Sequence, residues 1–318
     1  MDGIEVRELR DDLSFGAIIT GVTYDALADP AVRQQINQVF EDRGMIVFDG
    51  VEPSAEMHVA ISNVFGPLKD HPVPSVARVD QKSMPGVIDM HYIPGGEDAG
   101  IVEIDGKVLA CWSPWHFDHC YNNELNRAGV LRAIEIPPEG GLTGFADGIE
   151  MYKSLSEETR RKIEGLNIVY TLNTIFAEMR FGLPTGFREI RIPQASHNAT
   201  AHGRTMSRAL HPMVWTRKTG EKVLHVSPFM AAGIHGHEDP EGDRLLEHVC
   251  QEMIAKIRAY RHQWRPDQMV IWDNWRMLHS VGGMDPKYGR RMQRTTITGD
   301  YGLGSFENAP RARASADA

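Results

Sequence analysis

In the segment SPWHFDHCY, His116 and Asp118 stand two residues apart, and on an extended chain that spacing turns both side chains to one face. One face then offers an imidazole nitrogen and a carboxylate oxygen to a single metal ion. A third ligand is available in IWDNWRMLHSVGG, where His279 follows an apolar, strand-like run. Two histidines and one carboxylate cover one face of an octahedron and leave the opposite positions open. That arrangement suits non-haem Fe(II), which must also take a cosubstrate and oxygen. A structural zinc site would want four closed ligands, usually with cysteine. The three cysteines, Cys111, Cys120 and Cys250, form no CxxC; they read as small buried apolar residues, neither a zinc knuckle nor a disulfide framework. A second His-x-Asp, at His237 and Asp239, lies in GIHGHEDPEGD, a turn-forming run expected at the solvated surface.

Further along, YGRRMQRTTITGD places Arg290 and Arg294 four residues apart on a strand-like segment, so they share a face. Two guanidinium groups on an inward face are costly without anions to pair with. A dicarboxylate supplies such anions through bidentate contacts. Arg291 and Lys287 read instead as basic surface.

The elements that must position these groups are mixed. DPAVRQQINQVFEDRG (Asp29–Gly44) has an Asp cap, Pro at the first turn, apolar residues at helical spacing and a closing Gly, which predicts a helix. GMIVFDG predicts a strand and SAEMHVAISNVFG another helix. From Lys69 to about Pro114 the chain is rich in Pro, Gly and Asp and reads as loops and short strands with a lid at 78–111. AGVLRAIEI, GGLTGF, LNIVYTLN, Leu224–Val226, QMVIWDN and RTTITGD read as strands, and SLSEETRRKIEG as a capped helix. EGDRLLEHVCQEMIAKIRAYRHQW carries Leu245, Leu246, Val249, Met253, Ile257 and Tyr260 on one face, a long helix stopping before Pro266. Residues 181–208 read as a second loop or lid region. Many short strands with a few covering helices indicate a single domain over 1–305, all-β at its core with flanking helices, and a disordered tail at 306–318.

The 318 residues hold 34 Lys plus Arg against 43 Asp plus Glu, a net charge of −9, which argues against nucleic acid as a partner. At 42% apolar and 24% charged, the composition is that of a globular protein. No apolar run approaches the ~18 residues of a membrane helix, and the opening MDGIEVRELRDD is acidic where a signal peptide would be basic and then apolar. A cytoplasmic protein without membrane association is expected.

Several ordered motifs now agree with one family: HxD at His116 and Asp118, GGLT ending at Thr143, HPMVW from His211, WDN followed by His279, and Arg290-x-x-x-Arg294 before TTITGD. From about Val6 to Asp300 the chain resembles the taurine dioxygenase and 2,4-dichlorophenoxyacetate dioxygenase family of Fe(II)- and 2-oxoglutarate-dependent oxygenases. The resemblance implies a double-stranded β-helix, or jelly roll. It implies that His116, Asp118 and His279 are the iron ligands, and that Thr143 and Arg290 hold the distal carboxylate of 2-oxoglutarate. Arg294 is similar to an Arg that touches either the cosubstrate's other carboxylate or an anionic substrate. His71 is similar to a His that contacts the substrate's acidic group, with a backbone-capping loop His as the alternative. Phe176 falls where the family has an aromatic wall over the substrate, with a plain core Phe as the alternative.

Departures bear on the substrate. Trp112 stands about where the taurine enzyme has a polar Asn, and Trp275 follows WDN where an Arg is frequent, so the pocket is expected to be more aromatic and less suited to a bare sulfonate. The implied activity is oxidation, foremost hydroxylation, of a C–H bond in a small organic substrate, aromatic or acidic, with O2 consumed and succinate and CO2 released. A divalent-metal hydrolase would explain the triad but leave Thr143, Arg290 and Arg294 without a task; a non-catalytic jelly-roll binding protein, holding a metal for structure or binding a small acid without turnover, is the other alternative. A homo-oligomer, dimer or tetramer, is compatible with the resemblance.

Overall fold

The computed structural model describes residues 3–70, 77–80, 82, 84–96 and 99–308. Two large sheets carry the structure. The eight-stranded one runs, in spatial order, Glu5–Glu8, Ala17–Thr20, Met45–Asp49, Gln268–Asp273, Ala128–Glu135, Arg290–Ile297, Met84–Tyr92 and Arg78–Asp80. The six-stranded one runs Arg188–Arg191, Ile101–Ile104, Lys107–His116, Met277–Met284, Thr143–Asp147 and Tyr260–His262. Every pairing is antiparallel except Ala17–Thr20 with Met45–Asp49. Phe145 and Met277 of the smaller sheet pack with Leu131, Val270, Trp272 and Met292 of the larger in one buried cluster, the Phe145 and Trp272 rings 5.6 Å apart. Facing sheets with alternating inward side chains make the expected jelly-roll core, with the helices outside it.

The late strands occupy the middle of both sheets. Gln268–Asp273 lies between Met45–Asp49 and Ala128–Glu135, Arg290–Ile297 between Ala128–Glu135 and Met84–Tyr92, and Met277–Met284 between Lys107–His116 and Thr143–Asp147.

Outside the larger sheet lies the helix Pro30–Arg43. Asp29 accepts from the Ala31 N–H at 2.8 Å, a cap worth about 1 kcal/mol, and Gly44 closes the helix at φ 74°, a left-handed position that glycine takes without strain. Its Ile36 and Phe40 pack with Ile46, Phe48 and Ile271 beneath them. The helix Pro240–Lys256 buries Leu246, Val249 and Met253 against Ile168 and Tyr170.

Four segments differ from expectation. Residues 78–111, read as loops and short strands with a lid, supply all of the nine-residue strand Met84–Tyr92 and the first half of the ten-residue strand Lys107–His116; cross-strand pairing, with Tyr92 opposite Arg290 and Val87 opposite Thr295, holds extended a stretch whose local composition is loop-like. Residues 181–208 contain the strand Arg188–Arg191 and the helix Gln194–Gly203. That helix has no side-chain cap and buries only Thr200 and Gly203, so it carries no apolar stripe to read. The long helix ends at Lys256. Tyr260 instead pairs with Phe145 in an edge strand and packs against the inter-sheet core, a tertiary gain that overrides the helical spacing. Within the stretch expected as a tail, Phe306 with its neighbour Ser305 pairs with Ala209 and Leu210 and Glu307 binds Arg208; residues 309–318 lie outside the described part.

Candidate active site

His116 is the last residue of its strand, and its register partner on the neighbouring strand is His279; the two imidazoles are 4.1 Å apart. Asp118 does not follow on the strand as the two-residue spacing suggested. It sits in a turn in which His119 adopts φ 61°, so the turn, and not strand alternation, brings its carboxylate round. One ligand atom from each of His116, Asp118 and His279 lies within 4.8 Å of the others, the one such group of three among the described residues. His116 Nδ1 donates to the Pro114 carbonyl at 2.8 Å, which fixes the tautomer and leaves Nε2 as the free lone pair.

Burial pushes His279 and His116 below the ordinary imidazole range, with the neighbouring His116 adding to the effect at His279 and Asp118 opposing it at both. Both rings are therefore neutral, the form that coordinates a cation. At Asp118 burial favours the protonated acid, but Arg294 and then the rings of His279, His119 and His116 outweigh it, and the carboxyl stays ionised well below its usual range. Asp118 Oδ2 and His279 Nδ1 are buried with no hydrogen-bond partner among the described residues. Two neutral nitrogens and an ionised oxygen, converging in a buried place, fit a divalent cation.

Arg290 is 7% exposed, its Nε has no hydrogen-bond partner among the described residues, and burial lowers its pKa with the Cys111 thiol acting against it. The GGLT turn lies against it: Gly141 is at φ 63°, and a Cβ there would stand 3.3 Å from Arg290 Nε. Two residues on, Thr143 is buried and its hydroxyl accepts from Trp264 Nε1 at 3.1 Å. Arg290 shares a cavity of about 320 Å³ with Tyr92, Cys111, Trp112 and Phe176. Arg294 turns elsewhere, its Nη1 donating to Asp118 Oδ1 at 2.7 Å.

A row of rings leads away from the metal ligands. Phe229 meets the His116 ring edge-on at 5.8 Å, Phe176 lies 5.3 Å from Phe229, and Trp112 meets Phe176 edge-on at 5.2 Å and Phe187 at 5.3 Å. Phe187 and Phe229 escape sequence reasoning because each is a single aromatic in an irregular stretch. His71 lies outside the described residues. Asp239 caps the helix Pro240–Lys256 at the surface, and neither it nor His237 joins the metal-binding group. A larger cleft of about 920 Å³, along the helices Glu157–Ile163 and Pro240–Lys256, is lined by His237 and Asp239 but by none of the metal-ligand triad, Arg290 or the ring residues.

The fold thus brings together three side chains that could hold one metal ion and buries a guanidinium in a cavity lined by rings. Residues 5–296 match the model of the "Taurine catabolism dioxygenase TauD, TfdA family", and the chain belongs to that family. Among its relatives is the (S)-phenoxypropionate/alpha-ketoglutarate-dioxygenase of Sphingobium herbicidovorans, 26% identical over 91% of this chain and 93% of that protein. Another is the alpha-ketoglutarate-dependent 2,4-dichlorophenoxyacetate dioxygenase of Cupriavidus pinatubonensis, 25% identical over 87% of this chain and 91% of the relative. The crystal structure of AAD-2 in complex with Mn(II) and N-oxalylglycine has the same fold, with a TM-score of 0.69 at 22% identity over 94% of this chain and 98% of that one. The protein is an Fe(II)- and 2-oxoglutarate-dependent dioxygenase acting on a small molecule. No helix among the described residues is long and apolar enough to cross a membrane.

Proposed function

We propose that His116, Asp118 and His279 hold the iron, that Arg290 and Thr143 hold the distal carboxylate of 2-oxoglutarate, and that the Trp112–Phe176–Phe229 row receives the flat apolar body of a small organic acid that is hydroxylated at a C–H bond. The observation that carries this is Arg290, a buried cation with no carboxylate beside it among the described residues, opening on the same cavity as Trp112 and Phe176. The two named relatives act on phenoxy acids, and the aromatic lining supports the same substrate class here. Iron, once bound, supplies oxygen activation and the oxidation of the substrate. The chain's own groups do the rest. Arg290 and Thr143 orient the cosubstrate by charge and hydrogen bond, and the rings shed water from the reacting face. Arg294, on Asp118 Oδ1, holds that carboxylate ionised and aimed. His71 is assigned to the substrate's acidic group. The 181–208 segment, which brings Phe187 to Trp112, is assigned the part of a cover over the substrate.

One domain over 1–305, working in the cytoplasm as a homo-oligomer, completes the reading. The three free cysteines support a reducing compartment. Exposed Val108 and Ile190, both on the smaller sheet, support self-association.

Anaerobic titration of the metal-free protein with Fe(II) and 2-oxoglutarate tests the assignment without knowledge of the substrate. A visible metal-to-ligand charge-transfer band is expected, and the Asp118→Ala and Arg290→Ala proteins should fail to develop it at the same concentrations. A band unchanged in both variants would remove these residues from their roles.

A further inference from the structure

The turn that carries Asp118 does not hold itself. His119 sits at φ 61°, a left-handed conformation that costs a side-chain-bearing residue of the order of 1 kcal/mol or more and persists only where the surroundings over-determine it. Within the turn a single backbone bond, Asn122 N–H to the His119 carbonyl at 2.9 Å, spans this residue. Further restraint comes from distant side chains: His211 Nε2 donates to the Cys120 and Asn122 carbonyls at 2.9 and 2.8 Å, and the backbone of Asp118 itself is held from 156 residues away. The Asn274 side chain accepts from the Asp118 N–H at 2.7 Å through Oδ1 and donates to the Asp118 carbonyl at 3.0 Å through Nδ2. One amide thus satisfies both backbone groups of one residue, as a neighbouring strand would.

Asn274 is itself fully buried and fixed from every side. Its Nδ2 also donates to Asn126 Oδ1 at 3.1 Å, which settles the orientation of the amide. Its N–H donates to the Arg127 carbonyl at 3.0 Å. Its carbonyl accepts from His225 Nε2 at 3.1 Å, and the His225 ring stacks on Phe117, 3.8 Å away and 16° from parallel. Both flanks of Asp118 are therefore gripped by the same assembly. Asn274 also lies in the short connection between Gln268–Asp273 and Met277–Met284, the second of which carries His279.

We propose that Asn274 is the positioning residue of the metal centre, locking the Asp118 turn to the His279 strand so that carboxylate and imidazole are registered as one unit before metal arrives. This rests on the assignment of Asp118 as a ligand. Outer-shell groups of this kind typically change metal affinity about 10- to 100-fold when removed.

The test is anaerobic Co(II) titration, followed by the visible absorption of the bound ion, on the full chain and four variants. Asp118→Ala checks the underlying ligand assignment and is expected to lose binding. Asn274→Ala should bind Co(II) about 10- to 100-fold more weakly with an altered absorption envelope. Asn274→Asp, which keeps the acceptor and loses the donor, should fall between Asn274→Ala and the parent. Ser62→Ala removes a buried hydrogen bond, Ser62 to Thr295 at 2.7 Å, between a helix and the outer face of the larger sheet; it should lower the melting temperature and leave Co(II) affinity and spectrum as in the parent. The proposal is overturned if Asn274→Ala matches the parent, or if Ser62→Ala at equal thermal loss weakens binding as much. Should Asn274→Ala not fold, Asn274→Asp decides, and parental affinity there overturns it. Parental affinity in Asp118→Ala overturns the ligand assignment and the clamp together, whereas loss in Asp118→Ala with no loss at Asn274 overturns the clamp alone.

Discussion

Arg290 is buried without a carboxylate beside it among the described residues, and a guanidinium in that position is stabilised when an anion arrives. A charge-assisted contact of this kind contributes about 1.5–3 kcal/mol, so Arg290→Ala should raise the KM for 2-oxoglutarate by roughly 10- to 100-fold, while kcat at saturating cosubstrate falls less. Steady-state succinate release at varied 2-oxoglutarate measures this, and an unchanged KM would pass the role to another cation. That His116, Asp118 and His279 come together was legible from their donor types, the His-x-Asp spacing and the family motifs, and the structure does bring them to one place. The means of placing them was not. His119's left-handed φ leaves no mark in SPWHFDHCY, and Asn274 acts on a backbone whose sequence neighbours give no hint of it. Arg294 shared a predicted face with Arg290, yet its guanidinium lies on Asp118.

Arg276 joins elements that no local pattern connects. Its Nε and Nη2 each donate at 2.8 Å to Asp147, at the end of the Thr143–Asp147 strand, and its Nη1 donates at 3.0 Å to the Asp42 carbonyl in the last turn of Pro30–Arg43. The Arg276 and Asp147 side chains are 4% and 1% exposed. Arg276→Ala strands a buried carboxylate and should cost about 3–5 kcal/mol in urea unfolding. The double variant with Asp147→Ala should recover part of that loss, because no charge is then left unpaired; a double variant no better than the single one would mean the pair is not what binds these elements. Pro30–Arg43, with its cap and apolar stripe, was readable to within a residue, whereas Pro240–Lys256, also capped and striped, was readable at its start and not at its end. Elements made by partners were not readable, including Met84–Tyr92, held by Arg290–Ile297, and Tyr260–His262, held by Thr143–Phe145.

Across the whole molecule, four buried histidines set the response to acid. Burial lowers His58, His211 and His262 to about 4 and His225 to about 3, from an ordinary value of 6.5. Between those limits the unfolded chain binds protons that the folded chain refuses, so stability is full above pH 6.5 and falls as the pH drops toward 4. Each group contributes a slope of up to about 1.4 kcal/mol per pH unit. Denaturant unfolding between pH 7 and 4 should show this decline, and a flat profile would contradict it. The placement of the late strands has a consequence for how the chain is made. On the ribosome, everything up to residue 267 emerges before the strand that separates Met45–Asp49 from Ala128–Glu135, and both sheets wait with open edges for their middles. A nascent chain in that state exposes unpaired backbone and apolar faces, and any premature stop before Ile297 leaves it there. If His279 is a ligand as proposed, the three-residue metal site is complete only once the strand Met277–Met284, in the middle of the smaller sheet, has emerged.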